Sequence, residues 1–128
     1  MPVEPDEQQL AGVSGIAGSD GDAPLVMLNL NRYRDRAAYY RYAAVAATVL
    51  ERVGGRVLWH AEAQSTVIGD QSDIYDEVIA VWYPSAAAFI ALVTDSDLLA
   101  ARDDRAAGLE RAALIRCAAS AEPVLDGP

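Results

Sequence analysis

Three polar residues of this chain could take part in proton transfer. His60 is the only histidine of the sequence, and histidine alone titrates near neutral pH without help from its surroundings. Asp76 could orient such a base, and the amide of Asn29 could stabilise negative charge that develops on a substrate oxygen. Each residue has a structural alternative: a surface or structurally hydrogen-bonded histidine for His60, a strand cap for Asp76 and a bridge between strands for Asn29.

Four further residues could bind a substrate beside them. Trp82 and Tyr83 could form the wall of a pocket, together with Met27. Aromatic residues in strands belong to the core by default, so both aromatic side chains have an alternative as packing residues. Arg105 could bind an anionic group or pair with an acidic neighbour.

The sequence predicts no metal and no organic cofactor. One histidine and one cysteine, Cys117, cannot assemble a familiar zinc or iron site without clustered carboxylates. His60 could in principle be an axial haem ligand. The chain lacks the P-loop, dinucleotide-binding, Gly-x-Ser-x-Gly and His-Glu-x-x-His patterns, which excludes the corresponding nucleotide and hydrolase sites.

Four predicted strands position these residues. Alternation of apolar and polar residues places strands over 24–31, 56–63 with a continuation through 65–68, 76–83 and 112–117. In the third strand, the face of Glu77 and Tyr83 is opposite the face of Asp76 and Trp82. In the second strand, alternation sets a face with Val57, Trp59 and Ala61 against a face with Arg56, Leu58 and His60.

Capping signals predict the helices between these strands. Asp35 can begin a helix over 36–53 that Gly54 and Gly55 end, and its stripe of Tyr40, Ala44, Ala47 and Leu50 should lie on the sheet. Pro84 stops the third strand, and Ser85 can cap a helix over 86–93. Asp95 or Ser96 can begin another helix that runs to about residue 107.

The order strand, helix, strand, strand, helix, strand predicts an α+β fold of the ferredoxin-like βαββαβ type, with helices on one face of a four-stranded antiparallel sheet. We expect residues 24–119 to form this domain, after a short helix and flexible loop over 1–23 and before a tail over 120–128. The second sheet face is apolar and uncovered in this arrangement, which predicts a homodimer formed face to face.

Composition limits the possible partners. The formal net charge of −9 argues against nucleic acid, because binding phosphates requires a concentrated basic surface. No run approaches the length of a membrane span, and the chain does not start with a basic segment followed by an apolar one. We therefore expect a cytoplasmic protein without nucleic-acid or membrane partners.

A set of short motifs resembles a known bacterial family. The motifs are a strand that contains Asn29, the glycine pair 54–55 before a strand, Asp76 ahead of a strand that ends Tyr83-Pro84-Ser85, and the segment 105–109. Together they resemble the family called domain of unknown function 1330, in the dimeric α/β-barrel superfamily, over residues 24–117. That family often has a histidine where this chain has Asp104.

The resemblance implies a dimeric barrel but no particular reaction, because the superfamily includes cofactor-free monooxygenases, cyclases, isomerases and haem enzymes. The leading hypothesis is a cofactor-free enzyme that acts on a small, mainly apolar, oxygenated metabolite, with His60 as the base. The alternative is a homodimer without catalysis that binds a small ligand or serves only as a structural protein. An exposed His60 and an interface filled with side chains would favour this alternative.

Overall fold

The computed structural model describes Gln8, Gln9, Gly12 and residues 23–119. In this part of the chain the secondary structure elements are β1 (Leu25–Tyr33), α1 (Arg36–Arg52), β2 (Arg56–Glu62), a 3-10 turn (Gln71–Asp73), β3 (Glu77–Tyr83), α2 (Ala86–Val93), α3 (Ser96–Ala100), α4 (Arg102–Gly108) and β4 (Leu109–Ala118). Gln8, Gln9 and Gly12 are helical. The rest of the predicted N-terminal helix and loop, and the predicted tail over 120–128, lie outside the described residues.

The four strands form one antiparallel sheet in the order β2-β3-β1-β4. The helices cover one face of this sheet, where side chains of α1 and α2 join the buried core. This arrangement confirms the predicted α+β, ferredoxin-like fold. None of the helices in the described ranges is long and apolar enough to cross a membrane.

Strand alternation decides which side chains meet the helices. Leu25 and Met27 of β1 pair with Tyr83 and Val81 of β3, and all four belong to the core. This set of strand residues is the helix-facing side of the sheet, and the residues between them, such as Leu28, form the open side. Directly paired residues lie on the same side of the sheet, so the strand register shows on which side each of the remaining strand residues lies.

Helix α1 begins and ends where the capping signals predict. The side chain of Asp35 accepts a hydrogen bond from the Ala38 N–H at 3.2 Å, and Gly54 has a φ of +82° that favours glycine. The predicted buried stripe is wrong at Tyr40, Ala44 and Ala47, which are exposed, and correct at Leu50. The buried residues of the helix are Ala38, Tyr39, Val49 and Leu50.

Strand β2 differs from the prediction in two ways. Its pairing with β3 shifts between Val57 and Trp59, so Val57 lies opposite Val81 on the helix-facing side while Trp59 lies opposite Ala80 on the open side. The predicted common face of Val57 and Trp59 is therefore wrong, because an irregularity in register breaks the alternation. The strand ends at Glu62, and the predicted continuation over 65–68 is not a strand.

The second helical region is divided. Ser85 caps α2 by accepting from the Ala88 N–H at 3.0 Å, and Asp95 caps α3 by accepting from the Asp97 N–H at 2.8 Å. Ala101 then separates α3 from α4, where the sequence predicts one helix. The last strand extends beyond its predicted limits at both ends.

Gly108, the last residue of α4, packs against the first turn of α1. Its carbonyl oxygen accepts hydrogen bonds from the N–H groups of Arg34 and Asp35. A β-carbon at this position would lie 2.5 Å from the Tyr39 nitrogen and 2.7 Å from its Cβ. Only glycine fits here, which explains on structural grounds why the motif over 105–109 contains Gly108.

We expect Gly108→Ala to lower the free energy of unfolding by about 2–3 kcal/mol, because the added methyl group meets backbone atoms that cannot move independently. Urea denaturation measures this change. Ala107→Ser adds one atom to the exposed neighbouring position and should change stability by less than about 0.5 kcal/mol. Equal stability of the two variants would contradict the packing argument.

Candidate functional site

A buried carboxylate holds the single histidine. Glu77 is 7% exposed at the start of β3, and its Oε2 lies 3.2 Å from Nδ1 of His60, whose side chain is 68% exposed. The other carboxylate oxygen accepts a short hydrogen bond from the hydroxyl of Tyr33. The imidazole is therefore fixed through one nitrogen, while the ring itself extends into solvent.

The strand register brings these groups together. Asn31 of β1 pairs with Glu77 of β3, which also pairs with Glu62 of β2, and His60 pairs with Ile79. All these residues lie on the helix-facing side of the sheet, at the end near the start of α1. The site thus draws on three adjacent strands.

The hydroxyl of Tyr33 has a defined direction. Burial, followed by its hydrogen bond to Glu77, raises the pKa of Tyr33 well above its ordinary value. The hydroxyl therefore stays protonated and donates a hydrogen bond to the carboxylate of Glu77. Asn31 is buried, and its Nδ2 lies 3.5 Å from the same hydroxyl. Tyr39 packs on Tyr33 with ring centroids 5.1 Å apart.

Tyrosine ionisation gives a test of this buried cluster. Burial raises the pKa of Tyr33, Tyr39 and Tyr83 above 10.0. Above about pH 10 the unfolded chain loses protons that the native state keeps, so stability is fully present below that pH and falls as pH rises. For Tyr83 the loss should approach about 1.4 kcal/mol per pH unit, and the raised pKa of Tyr39 adds to it in the same direction.

Phenolate absorbance measures the effect directly. At about pH 11 the native protein should show less tyrosine ionisation than the protein in guanidinium chloride, because burial raises the pKa of Tyr33, Tyr39 and Tyr83. Equal ionisation in the two states, with the fold intact by circular dichroism, would contradict the described burial.

An arginine forms the rim of the site. The guanidinium carbon of Arg36 lies 4.8 Å from the centre of the Tyr33 ring, and its Nη1 lies 2.7 Å from Oε1 of Glu62. The hydrogen bond to Glu62 raises the pKa of Arg36 further above its already high value. Because Glu62 is opposite Glu77, this ion pair borders the histidine site.

Asp76 and Asn29 make contacts with the backbone. Oδ2 of Asp76 accepts from the Tyr33 N–H at 2.8 Å, which fixes the end of β1 that carries the tyrosine. Nδ2 of Asn29 lies 3.2 Å from the Met27 carbonyl oxygen and 3.4 Å from that of Ile79. Asn29 and His60 thus lie on either side of Ile79.

The predicted binding residues are not gathered at His60. Met27 and Tyr83 are core residues, and Tyr83 lies six positions from Glu77, about 20 Å along β3. Trp82 pairs with Val26 and therefore lies on the open side. The guanidinium carbon of Arg105 lies 5.9 Å from the centre of the Tyr42 ring.

The sequence reasoning missed Glu77 and Tyr33. One signal was available, because Glu77 is the only acid on the predicted strand face that also carries Ile79, Val81 and Tyr83. A charge on an apolar face requires a partner. Among the described residues, no group of three or more histidine, cysteine, aspartate or glutamate side chains is placed to hold a metal ion.

A pocket of about 460 Å³ lies on the opposite, open side of the sheet. Its base is formed by Leu30 and Val78, which pair across β1 and β3. The segment 63–75 supplies its wall, including the exposed side chains of Val67 and Ile68. This pocket is separated from His60 by the sheet itself.

Residues 25–117 match the family model described as domain of unknown function, DUF1330. The chain belongs to the DUF1330 family. The resemblance seen in its motifs is thereby confirmed. A comparison with curated proteins finds no match.

Solved structures include another protein of unknown function that is similar over nearly its full length. RPA0582 from Rhodopseudomonas palustris is 31% identical, with a TM-score of 0.82 over 92% of the DUF1330 chain and 96% of its own. A hydroxynitrile lyase from Passiflora edulis is 10% identical, with a TM-score of 0.59 over 77% and 95% of the two chains. A dimeric ferredoxin-like protein from Thermobifida fusca is 14% identical, with a TM-score of 0.51 over 76% and 92%. The last two share the fold with this DUF1330 protein.

Proposed function

We propose that this DUF1330 protein is an enzyme that transfers a proton on a small oxygenated metabolite, with His60 as the general base and Glu77 as its positioning residue. The observation that carries this proposal is the buried Glu77 carboxylate between Tyr33 and His60. A carboxylate held in this way fixes the tautomer of the imidazole and stabilises the charge that the ring gains.

The reaction step follows from the free nitrogen. With the proton on Nδ1, which donates to Glu77, Nε2 carries the lone pair of an imidazole whose side chain is 68% exposed. Nε2 removes a proton from the carbon next to a carbonyl group, and the electron pair of the C–H bond moves to the carbonyl oxygen. The resulting enolate takes a proton back at the same carbon or at another position. This chemistry requires no cofactor.

The remaining predicted residues have supporting roles in this proposal. Asp76 fixes the backbone of Tyr33. Because the Tyr33 hydroxyl donates to Glu77, Asp76 supports the position of Glu77 indirectly. Asn29 stabilises the enolate oxygen if its amide turns from the two carbonyl oxygens it now contacts. Met27, Trp82, Tyr83 and Arg105 remain predictions as binding residues.

The proposal extends to a homodimer formed through the open side of the sheet. Trp59 and Ile115 are exposed on that side, whereas Ala80 and Trp82 beside them are buried within the monomer. Exposed apolar surface of this kind is typical of an interface. The second candidate function, a homodimer that binds a ligand without catalysis, is favoured by the pocket on the same side and by the 68% exposure of the His60 side chain. The cytoplasmic location remains a prediction.

The tautomer of His60 tests the positioning role without a known substrate. We expect the neutral imidazole to carry its proton on Nδ1, because that nitrogen faces the carboxylate. As the chain has one histidine, the ring nitrogen shifts in a nitrogen-15 NMR spectrum need no assignment. Glu77→Gln should change the tautomer ratio, whereas Glu62→Gln should leave it unchanged. A proton on Nε2 in the native protein would contradict the proposed geometry.

Activity is tested by hydrogen–deuterium exchange at carbon. Acetone, hydroxyacetone and levulinate in heavy water lose NMR signal at the carbons next to the carbonyl group when a base removes those protons. We expect the native protein to accelerate exchange for at least one of the three. No acceleration with any of them would favour the binding protein without catalysis.

A further inference from the structure

Arg36 is held in place, but only one of its three guanidinium nitrogens donates hydrogen bonds to described residues. Its hydrogen bonds to Glu62 and to the Tyr40 hydroxyl, at 2.7 and 3.4 Å, are both made by Nη1. The ring of Tyr33 supports the guanidinium plane from below. Neither Nε nor Nη2 donates to any residue in the described ranges. One edge of a positioned guanidinium group is therefore available to a ligand.

That edge suits a carboxylate. Two parallel N–H donors of arginine match the two oxygens of a carboxylate, and such pairs are stronger than neutral hydrogen bonds. The existing partner does not prevent binding, because Arg36 and Glu62 are 38% and 70% exposed. An ion pair this exposed is weak, so a ligand can bind beside Glu62 or replace it.

The strand places this group at a useful distance from the base. Glu62 and His60 lie two positions apart on the same side of β2, so their Cα atoms are separated by about 7 Å. An anion bound at Arg36 next to Glu62 therefore lies within the length of a short carbon chain from His60. A small acid can reach both.

The net charge of −9 does not oppose a small acid at this position. The nearest buried acid, Glu77, is engaged by Tyr33 and His60. Charges further than about 8 Å are screened at physiological ionic strength. The local attraction of Arg36 then decides binding, and the acidic surface mainly lowers the association rate.

We infer that Arg36 binds the carboxylate of the substrate, so that the substrates are small carboxylic acids with a carbonyl group two or three carbon atoms from the carboxylate. This inference rests on the proposed function, because it places the reacting carbon at His60. Arg36 is a binding residue that none of the predicted sites included.

Binding of levulinate tests this inference, with methyl levulinate as the neutral ligand of the same carbon skeleton. We expect levulinate to bind the native protein about tenfold tighter than its ester in calorimetric titrations, since the ester lacks the charge-assisted pair. Arg36→Gln should remove that difference, and Glu62→Gln should increase it. Arg41→Gln is the matched control, because Arg41 is on the same helix and pairs with Asp104.

Exchange at carbon separates this inference from the proposed function. Tight binding of levulinate that depends on Arg36, without exchange, supports the carboxylate site and removes the proton-transfer role. If the native protein exchanges levulinate and its ester at equal rates, and Arg36→Gln does the same, proton transfer is supported and the carboxylate site is overturned. Failure of levulinate to bind the native protein, or unchanged binding in Arg36→Gln, also overturns it.

Discussion

Replacing His60 with glutamine should lower the protein-catalysed rate of proton exchange by about 10²–10⁴-fold, the usual contribution of a positioned general base. Glutamine keeps a polar group beside Glu77 but provides no basic nitrogen. The side chain of His60 is 68% exposed, so its loss should not unfold the protein. NMR measurement of exchange with the ketone that the native protein accelerates most gives the rate.

A second substitution distinguishes the role of the base, His60, from that of its positioning residue, Glu77. Glu77→Gln keeps the imidazole and should reduce the rate less than His60→Gln does, because the base remains while the proton on Nδ1 loses its charged acceptor. Glu62→Gln removes the other acid of this region, and it should leave exchange of uncharged acetone unchanged. If His60→Gln exchanged acetone as fast as the native protein, His60 would not be the base.

Stability must be measured beside the rates. Glu77 is buried and accepts the Tyr33 hydroxyl, so the glutamine variant exchanges a charged acceptor for a neutral one at an unchanged size. Urea denaturation of each variant distinguishes a lost catalytic role from a lost fold. A variant that remains folded but inactive supports the assignment of roles.

Local signals in the sequence predicted most of the fold. Asp35, Ser85 and Asp95 act as helix caps where their residue types suggest, since capping depends only on neighbouring residues. The buried stripe of α1 was misplaced because alanine occurs on both sides of this helix and provides little hydrophobic contrast. The irregular pairing at Val57 was also missed, because no residue type signals such a shift.

The candidate site was predictable only in part. His60 stood out as the single histidine, but its partner depends on the register between β2 and β3. Tyr33 lies beyond the predicted end of β1 at residue 31, so its contact with Glu77 required both the longer strand and the β1–β3 pairing. Contacts between strands distant in sequence follow from the assembled sheet, which alternation alone does not determine.

Two neighbouring residues of β4 allow a controlled test of the proposed dimer. Ile115 and Leu114 are 49% and 48% exposed, yet they lie on opposite sides of the sheet. Ile115 pairs with Leu28 on the open side, and Leu114 pairs with Asn29 on the helix-facing side. A lysine at either position meets similar exposure in the monomer, so any difference in assembly must come from the side it occupies.

We expect Ile115→Lys to shift the native protein from dimer to monomer in sedimentation velocity, with the dissociation constant raised at least about 100-fold. In a symmetric dimer each substitution occurs twice in one interface, and burying an unpaired ammonium group costs several kcal/mol. Leu114→Lys should leave the dimer intact, because its charge remains on the side that the partner does not contact. A native protein that sediments as a monomer at micromolar concentration, or equal dissociation of both variants, would mean that the open side is not the interface. The pocket lined by Leu30 and Val78 would then be open to solvent, and it would be the candidate ligand-binding surface of the protein.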